Sequence, residues 1–124
     1  MRIFLNKSFQ RFANKESIDI DSLCLAVQRA DAGQVDADLG GGVIKQRIAR
    51  SNEGKSGGYR SIILYRSETL AFFVYGYAKN ERDNITADEL KAFKKLAKTV
   101  LSFDTEQLEA SITAGVFIEV ACDG

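Results

Sequence analysis

The 124-residue sequence contains no histidine, and this absence excludes several kinds of chemistry. Ser–His and Cys–His nucleophilic catalysis are not available, and the commonest side-chain ligand of transition metals is missing. An enzyme with this sequence has to work with lysine, arginine, tyrosine, carboxylate and hydroxyl groups. We therefore expect a protein without a metal ion or a cofactor.

Long apolar runs and closely spaced cysteines are also missing. No run approaches the roughly 18 apolar residues that a membrane helix needs, and the N-terminal segment MRIFLNKSF lacks the features of a signal peptide. We expect a cytoplasmic protein with no membrane partner. Cys24 and Cys122 form no CxxC pattern, and Cys24 falls in an apolar helical stretch. The sequence therefore predicts a buried free thiol at Cys24 and no disulfide framework.

The charges are balanced overall but unevenly distributed along the chain. The formal net charge is zero, yet residues 43–103 carry twelve basic and six acidic side chains, and residues 104–124 carry five acidic and no basic ones. Length and composition predict a single globular domain over 1–124. Within it, 104–124 is an acidic C-terminal extension. The segregation is consistent with a nucleic-acid surface, and equally with two differently solvated faces.

The first third of the chain predicts one strand followed by a helical hairpin. Residues 1–5 read as a strand, and a short helix begins near Lys7. Either Ser17 or Asp19 can cap a second helix, which ends at Gly33.

The rest of the chain predicts a small antiparallel sheet and further helices. Short turns join three β-type segments, which favours hairpins over crossover connections; the segments are Val43–Arg50, Tyr59–Tyr65 and Leu70–Tyr77. A capping box of Thr86 and Glu89 begins a helix that extends to about Ser102. A last helix over Thr105–Thr113 and a short strand over 116–120 complete an α+β fold.

The predicted sheet brings basic residues together at one rim. Lys45 and Arg47 are two residues apart, so on a strand they point to the same face. Arg60 begins the adjacent antiparallel strand. The other cations that can converge on this rim are Arg50, Lys55, Lys79 and Arg82.

Such a rim suits a phosphodiester, although solvated hairpin charges explain it equally well. Lysine and arginine attract the nucleic-acid backbone, and aromatic rings can stack a splayed base. In RNA the 2′-hydroxyl is a built-in nucleophile, so the protein has only to align it and stabilise the developing charge. Tyr59, Tyr75 and Tyr77 are candidates for proton transfer, or simply packed aromatics of the sheet.

Three motifs, in order, resemble the HigB-like branch of the RelE/ParE toxin superfamily. They are a GG-x-x-K-x-R strand at 41–47, a GK-x-GG-x-R hairpin at 54–60 and a Y-x-K-N-E segment at 77–81. The resemblance extends over about residues 41–97. It implies a RelE-like fold, with an N-terminal strand and helical hairpin packed on a mostly antiparallel sheet and with helices at the C-terminal end. It also implies metal-independent cleavage of mRNA in the ribosomal A site by 2′-hydroxyl attack, and a cognate antitoxin as partner.

Carried over by position, the resemblance assigns roles to individual residues. Arg47 and Arg60 would hold and polarise the scissile phosphate, and Lys79 would assist in charge stabilisation or proton transfer. The residues that would contact RNA are Lys45, Arg50, Lys55, Tyr59 and Arg82. Two alternatives remain open: a ParE-like gyrase inhibitor and a non-catalytic binding module. The acidic extension could shield the basic rim, contact the antitoxin or cap the sheet edge.

Overall fold

The structure, a computed structural model, describes residues 1–49 and 58–122, and these residues form one six-stranded sheet with two helices on each face. The architecture is α+β, as predicted. In chain order the elements are β1 (Arg2–Asn6), α1 (Lys7–Lys15), α2 (Ile20–Asp31), β2 (Ala37–Gly40), β3 (Val43–Ile48), β4 (Tyr59–Arg66), β5 (Leu70–Ala78), α3 (Ala87–Val100), α4 (Thr105–Thr113) and β6 (Phe117–Val120).

The strand order is β2-β3-β4-β5-β1-β6. Antiparallel pairing links β3, β4 and β5, as the short turns predict; β2 is antiparallel to β3, and β6 is antiparallel to β1. Only the β1–β5 pair is parallel within the described chain. The N-terminal strand β1 lies between β5 and β6, and its side chains are buried on both faces of the sheet. The sequence did not predict β2, because its four residues, ADLG, have little strand propensity.

The helical hairpin forms where the sequence predicts it and packs on one face of the sheet. Asp19 caps α2, since its side chain accepts a hydrogen bond of 2.8 Å from the amide of Ser22. The structure thus decides between the two predicted caps. The apolar side chains of α2 are buried against the sheet; they include Leu23, Cys24, Val27 and Ala30.

The prediction of a free thiol at Cys24 is wrong. Cys24 is buried, but it forms a disulfide with Cys122, with an S–S distance of 2.01 Å and a sequence separation of 98. The bond forms because β6 pairs with β1 at the sheet edge, and this pairing carries the residues that follow it to α2. Such a pairing depends on the strand order, which cysteine spacing alone does not reveal.

The acidic extension completes the sheet. It contains α4 and β6, and α4 begins at a capping box in which Asp104 and Gln107 each accept a backbone hydrogen bond from the other. The guanidinium of Arg2 on β1 donates to Glu119 at 2.8 Å and to Glu109 at 3.0 Å. Of the three roles considered for the extension, the structure shows the edge-capping one. None of the helices in the described residues is long and apolar enough to span a membrane.

Candidate functional site

The sheet face that α3 and α4 cover changes from apolar to cationic along the strands. Three cross-strand rows on this face show the change: Val43–Leu64–Phe72, Lys45–Ile62–Tyr75 and Arg47–Arg60–Tyr77. The first row is fully buried in the core beneath α3. The third row lies beyond that core, and there Arg47 is exposed and Arg60 is half-buried.

Arg47 and Arg60 are direct partners across β3 and β4, which puts their Cα atoms about 4.5–5.5 Å apart. Like charges placed directly opposite each other on one sheet face destabilise the sheet unless a counter-charge lies between them. Nη1 of Arg60 is 3.4 Å from the carbonyl oxygen of Tyr59, a long hydrogen bond, and no carboxylate among the described residues pairs with either guanidinium. Two guanidinium groups this close together can bind an anion such as a phosphate.

Backbone contacts that the sequence did not reveal fix β3 beneath Arg47. The amide of Arg47 donates to Asp36 at 2.6 Å, and its carbonyl accepts from Arg29. Beside it, the fully buried side chain of Gln46 donates to the carbonyl of Ala26 at 3.0 Å. Gln46 alternates with Ile44 and Ile48 along β3, and a glutamine at a position expected to be buried is a signal that could have identified this support, since a buried amide needs partners.

A β-bulge in β5 determines where the tyrosines point. The register against β4 slips at Val74, which lies between the paired residues Phe73 and Tyr75. Phe73 packs toward α1 and α2, so strict alternation would have sent Tyr75 and Tyr77 the same way. The extra residue turns both tyrosines to the cationic face. Nδ2 of Asn6 donates to the carbonyl of Val74 at 3.0 Å and supports the bulge.

Replacing Gly76, which follows the bulge, with alanine is expected to destabilise the protein by about 1–3 kcal/mol. An added Cβ would lie 2.4 Å from the ring of Phe12 and 3.0 Å from that of Phe9. Phe12 could move only by leaving its edge-to-face contact with Tyr59, whose ring centroid is 5.6 Å away. Urea denaturation measures the change. In a Phe12→Ala background most of the cost should disappear, and an equal cost in both backgrounds would contradict this explanation.

Arg82, in the loop after β5, is bound within the protein. Its guanidinium donates to the hydroxyl of Tyr75 at 2.7 Å and forms a two-pronged ion pair with Glu89, in which one contact is 3.1 Å. It also lies 5.4 Å above the ring of Tyr75 and 6.0 Å from that of Tyr77. The group predicted to contact RNA thus joins the tyrosine pair to the first turn of α3.

The Arg82–Glu89 pair gives a testable pH dependence. The hydrogen bonds from Arg82, followed by that from the Thr86 amide, lower the pKa of Glu89 to about 2 from 4.5. A carboxylate with a lowered folded-state pKa stabilises the fold above its unfolded pKa, and this contribution is lost as the pH falls from about 4.5 to about 2. Glu89→Gln keeps a side chain suited to the capping box but removes the charge.

We expect Glu89→Gln to be less stable than the wild type above about pH 5. The difference should shrink steadily toward pH 2, when unfolding is followed in urea at each pH. A difference that stays constant over this range would show that the charge of Glu89 does not contribute.

The remaining predicted residues lie at different distances from the row formed by Arg47, Arg60 and Tyr77. Lys45 is half-buried one row away, with Nζ 3.4 Å from the side-chain oxygen of Asn84. Lys79 is exposed and directly follows β5, and its amide is 3.4 Å from the carbonyl of Gly58. Arg50 and Lys55 lie outside the described residues.

Tyr59 is not brought to the row. It belongs to the core cluster on the opposite face, beneath α1 and α2, and its hydroxyl donates to Glu16 at 3.0 Å. Over residues 1–49 and 58–122, no group of three acidic, cysteine or histidine side chains is arranged to bind a metal ion.

Comparison with known families places the chain in a class of proteins. The family described as the RelE toxin of the RelE/RelB toxin-antitoxin system matches residues 1–120, nearly the whole chain. The protein therefore belongs to the RelE toxin family, as the three sequence motifs predicted. No curated protein matches the sequence.

Proposed function

We propose that this protein is a ribosome-dependent mRNA endonuclease, a single-domain toxin of the HigB-like type that a cognate antitoxin inhibits. The observation that carries the proposal is the in-register pair of Arg47 and Arg60 at the end of the apolar core, two guanidinium groups that no carboxylate of residues 1–49 and 58–122 pairs with. Lys79 leaves the adjacent strand at the same end of the sheet. Membership of the RelE toxin family supports this reading of the pair.

The proposed reaction is a transfer within the RNA itself. The 2′-oxygen of one nucleotide attacks the adjacent phosphorus, and the bond from phosphorus to the 5′-oxygen breaks. The products are a 2′,3′-cyclic phosphate and a 5′-hydroxyl, so the proton lost from the 2′-hydroxyl is balanced by one gained at the 5′-oxygen. No metal ion takes part in this scheme.

Arg47 and Arg60 supply what this reaction needs from the protein. Negative charge builds up on the non-bridging phosphate oxygens in the transition state, and preorganised cationic donors stabilise it. Arginine can bind two such oxygens at once with parallel N–H groups. Lys79 would stabilise the charge on the departing 5′-oxygen or deliver its proton.

The proposal also defines partners and location. Translating ribosomes and their message would be the substrate, the antitoxin would cover the basic row, and both place the protein in the cytoplasm. Cytoplasmic thiol systems keep most disulfides reduced, so Cys24 and Cys122 would be thiols there during the proposed activity. The fold would then have to persist without the bond.

Mapping RNA 5′ ends tests the proposal. Purified protein is added to ribosomes translating a defined message and, separately, to the same message without ribosomes. Cuts at A-site codons that appear only with ribosomes are the expected result. Intact message in both samples, with ribosomes shown to be active, would rule the proposal out, and a gyrase supercoiling assay would then test the ParE-like alternative. If the protein is inactive in that assay as well, the remaining alternative is a non-catalytic binding module.

A further inference from the structure

The four tyrosines differ in what their hydroxyl groups contact. Three have partners within the protein: Tyr59 donates to Glu16, Tyr65 to Asp31, and Tyr75 accepts from Arg82. The hydroxyl of Tyr77 is buried and has no hydrogen-bond partner among the described residues. The side chain as a whole is only 5% exposed.

A buried hydroxyl without a partner destabilises the fold, because it loses its hydrogen bonds to water and gains none. Phenylalanine would fill the same space without that loss. Unsatisfied buried polar groups are rare in folded proteins, and each one needs an explanation, such as a catalytic role or a bound water or ion. The packing of the sheet therefore does not explain why residue 77 is a tyrosine and not a phenylalanine.

The surroundings of Tyr77 are cationic. Tyr77 is the direct partner of Arg60, which in turn pairs with Arg47, so the three residues form one row across β3, β4 and β5. Adjacent strands lie about 4.7–4.9 Å apart, which puts Tyr77 roughly 10 Å from Arg47 across Arg60. The guanidinium of Arg82 lies 6.0 Å from the centre of the Tyr77 ring.

The protonation state of Tyr77 follows from its burial. Desolvation raises the pKa of its hydroxyl, although Arg60 and Arg82 act in the opposite direction. The group therefore stays protonated at neutral pH and can donate a hydrogen bond. A donor between cations is matched to an anionic acceptor.

We propose that Tyr77 is a further substrate-contacting residue, whose hydroxyl donates a hydrogen bond to a non-bridging oxygen of the phosphate bound by Arg47 and Arg60. The contact rests on the proposed function for the identity of the phosphate, a phosphodiester of RNA. It makes the β5 bulge part of the site, because without the extra residue Val74 the ring would face α1 and α2. The half-buried Arg60 side chain makes one long hydrogen bond of 3.4 Å within the described chain, so it can turn toward the phosphate as the phosphate binds.

Two matched substitutions, each removing one phenol oxygen, separate this role from a structural one. Tyr77→Phe should leave stability unchanged or slightly raised, and should lower single-turnover cleavage on ribosomes about tenfold to a hundredfold. Tyr65→Phe, on the other sheet face, breaks the hydrogen bond to Asp31. It should lower stability and leave cleavage unchanged. Cleavage by Tyr77→Phe at the wild-type rate would overturn the proposal.

A second measurement does not depend on cleavage. Inorganic phosphate is titrated into isotope-labelled wild type and Tyr77→Phe, and the backbone amide signals of β4 and β5 are followed by NMR. We expect saturable shifts at Arg60, Gly76 and Ala78 in the wild type and about tenfold weaker binding in the variant.

The two measurements together distinguish the possible failures. If phosphate binding depends on Tyr77 but the wild type does not cut messages, the proposed reaction is refuted and the proposed contact between Tyr77 and phosphate is supported. Equal phosphate affinity in both proteins would overturn the contact, even where cleavage is lost. Failure of the wild type to bind phosphate would overturn it as well.

Discussion

Arg60→Ala is expected to slow message cleavage on ribosomes about a hundred- to a thousandfold, equivalent to about 2.7–4 kcal/mol of transition-state stabilisation. We expect a loss of this size because of where Arg60 lies: it is the central residue of its row, between Arg47 and Tyr77. Removing it takes away a cationic donor that would bind the phosphate in the proposed reaction. Stability should change little, since the side chain is half-exposed and makes one long hydrogen bond of 3.4 Å within the described chain.

The control for this prediction is Arg11→Ala. Arg11 is an exposed residue of α1, on the opposite face of the sheet, and its loss changes the net charge by the same amount. Cleavage by this variant should remain at the wild-type rate. If both variants lost activity equally, the effect would come from overall charge and not from the row. Arg60→Lys adds a finer comparison, because it keeps the charge but loses bidentate binding.

Reducing the Cys24–Cys122 disulfide is expected to lower the free energy of unfolding by about 2–4 kcal/mol. The bond closes a loop with a sequence separation of 98 residues, so it restricts the unfolded chain strongly. It also holds the residue two positions after β6 against α2, whose neighbouring side chains belong to the core. Urea denaturation with and without dithiothreitol measures the difference.

Cys122→Ser provides the matched comparison for the disulfide. Its stability should equal that of the reduced wild type and should not respond to dithiothreitol. Cleavage at low temperature should be unaffected, because Cys24 belongs to α2, which covers the sheet face opposite to the one that carries Arg60. A reduced wild type as stable as the oxidised one would contradict the prediction.

The positions of the helices were largely predictable because their signals are local. The capping box of Thr86 and Glu89 forms as expected, with a hydrogen bond of 3.1 Å from the Glu89 amide. The last helix occupies Thr105–Thr113, the range that the sequence predicts. A cap and its first turn involve residues three positions apart, so the sequence contains nearly all the information that decides them.

Part of the candidate site was predictable for a similar reason. Lys45 and Arg47 share a face because side chains alternate along a strand. Arg60 joins them because so few residues separate the two strands in the sequence that antiparallel pairing is favoured. The roles assigned to these residues remain predictions, and those for Arg50 and Lys55 concern positions outside the described residues.

The rest of the site depends on contacts between distant segments. The sequence determined most of the element types, the capping box of α3 and the basic character of two neighbouring strands, since each of these depends on residues close together in the chain. Only the tertiary structure decided that the N-terminal strand pairs with β5, that Cys24 meets Cys122, and that a bulge at Val74 turns Tyr77 toward Arg60. A one-residue slip in register reverses every side chain beyond it, and such a slip is set by partners such as Asn6 that lie far away in the sequence.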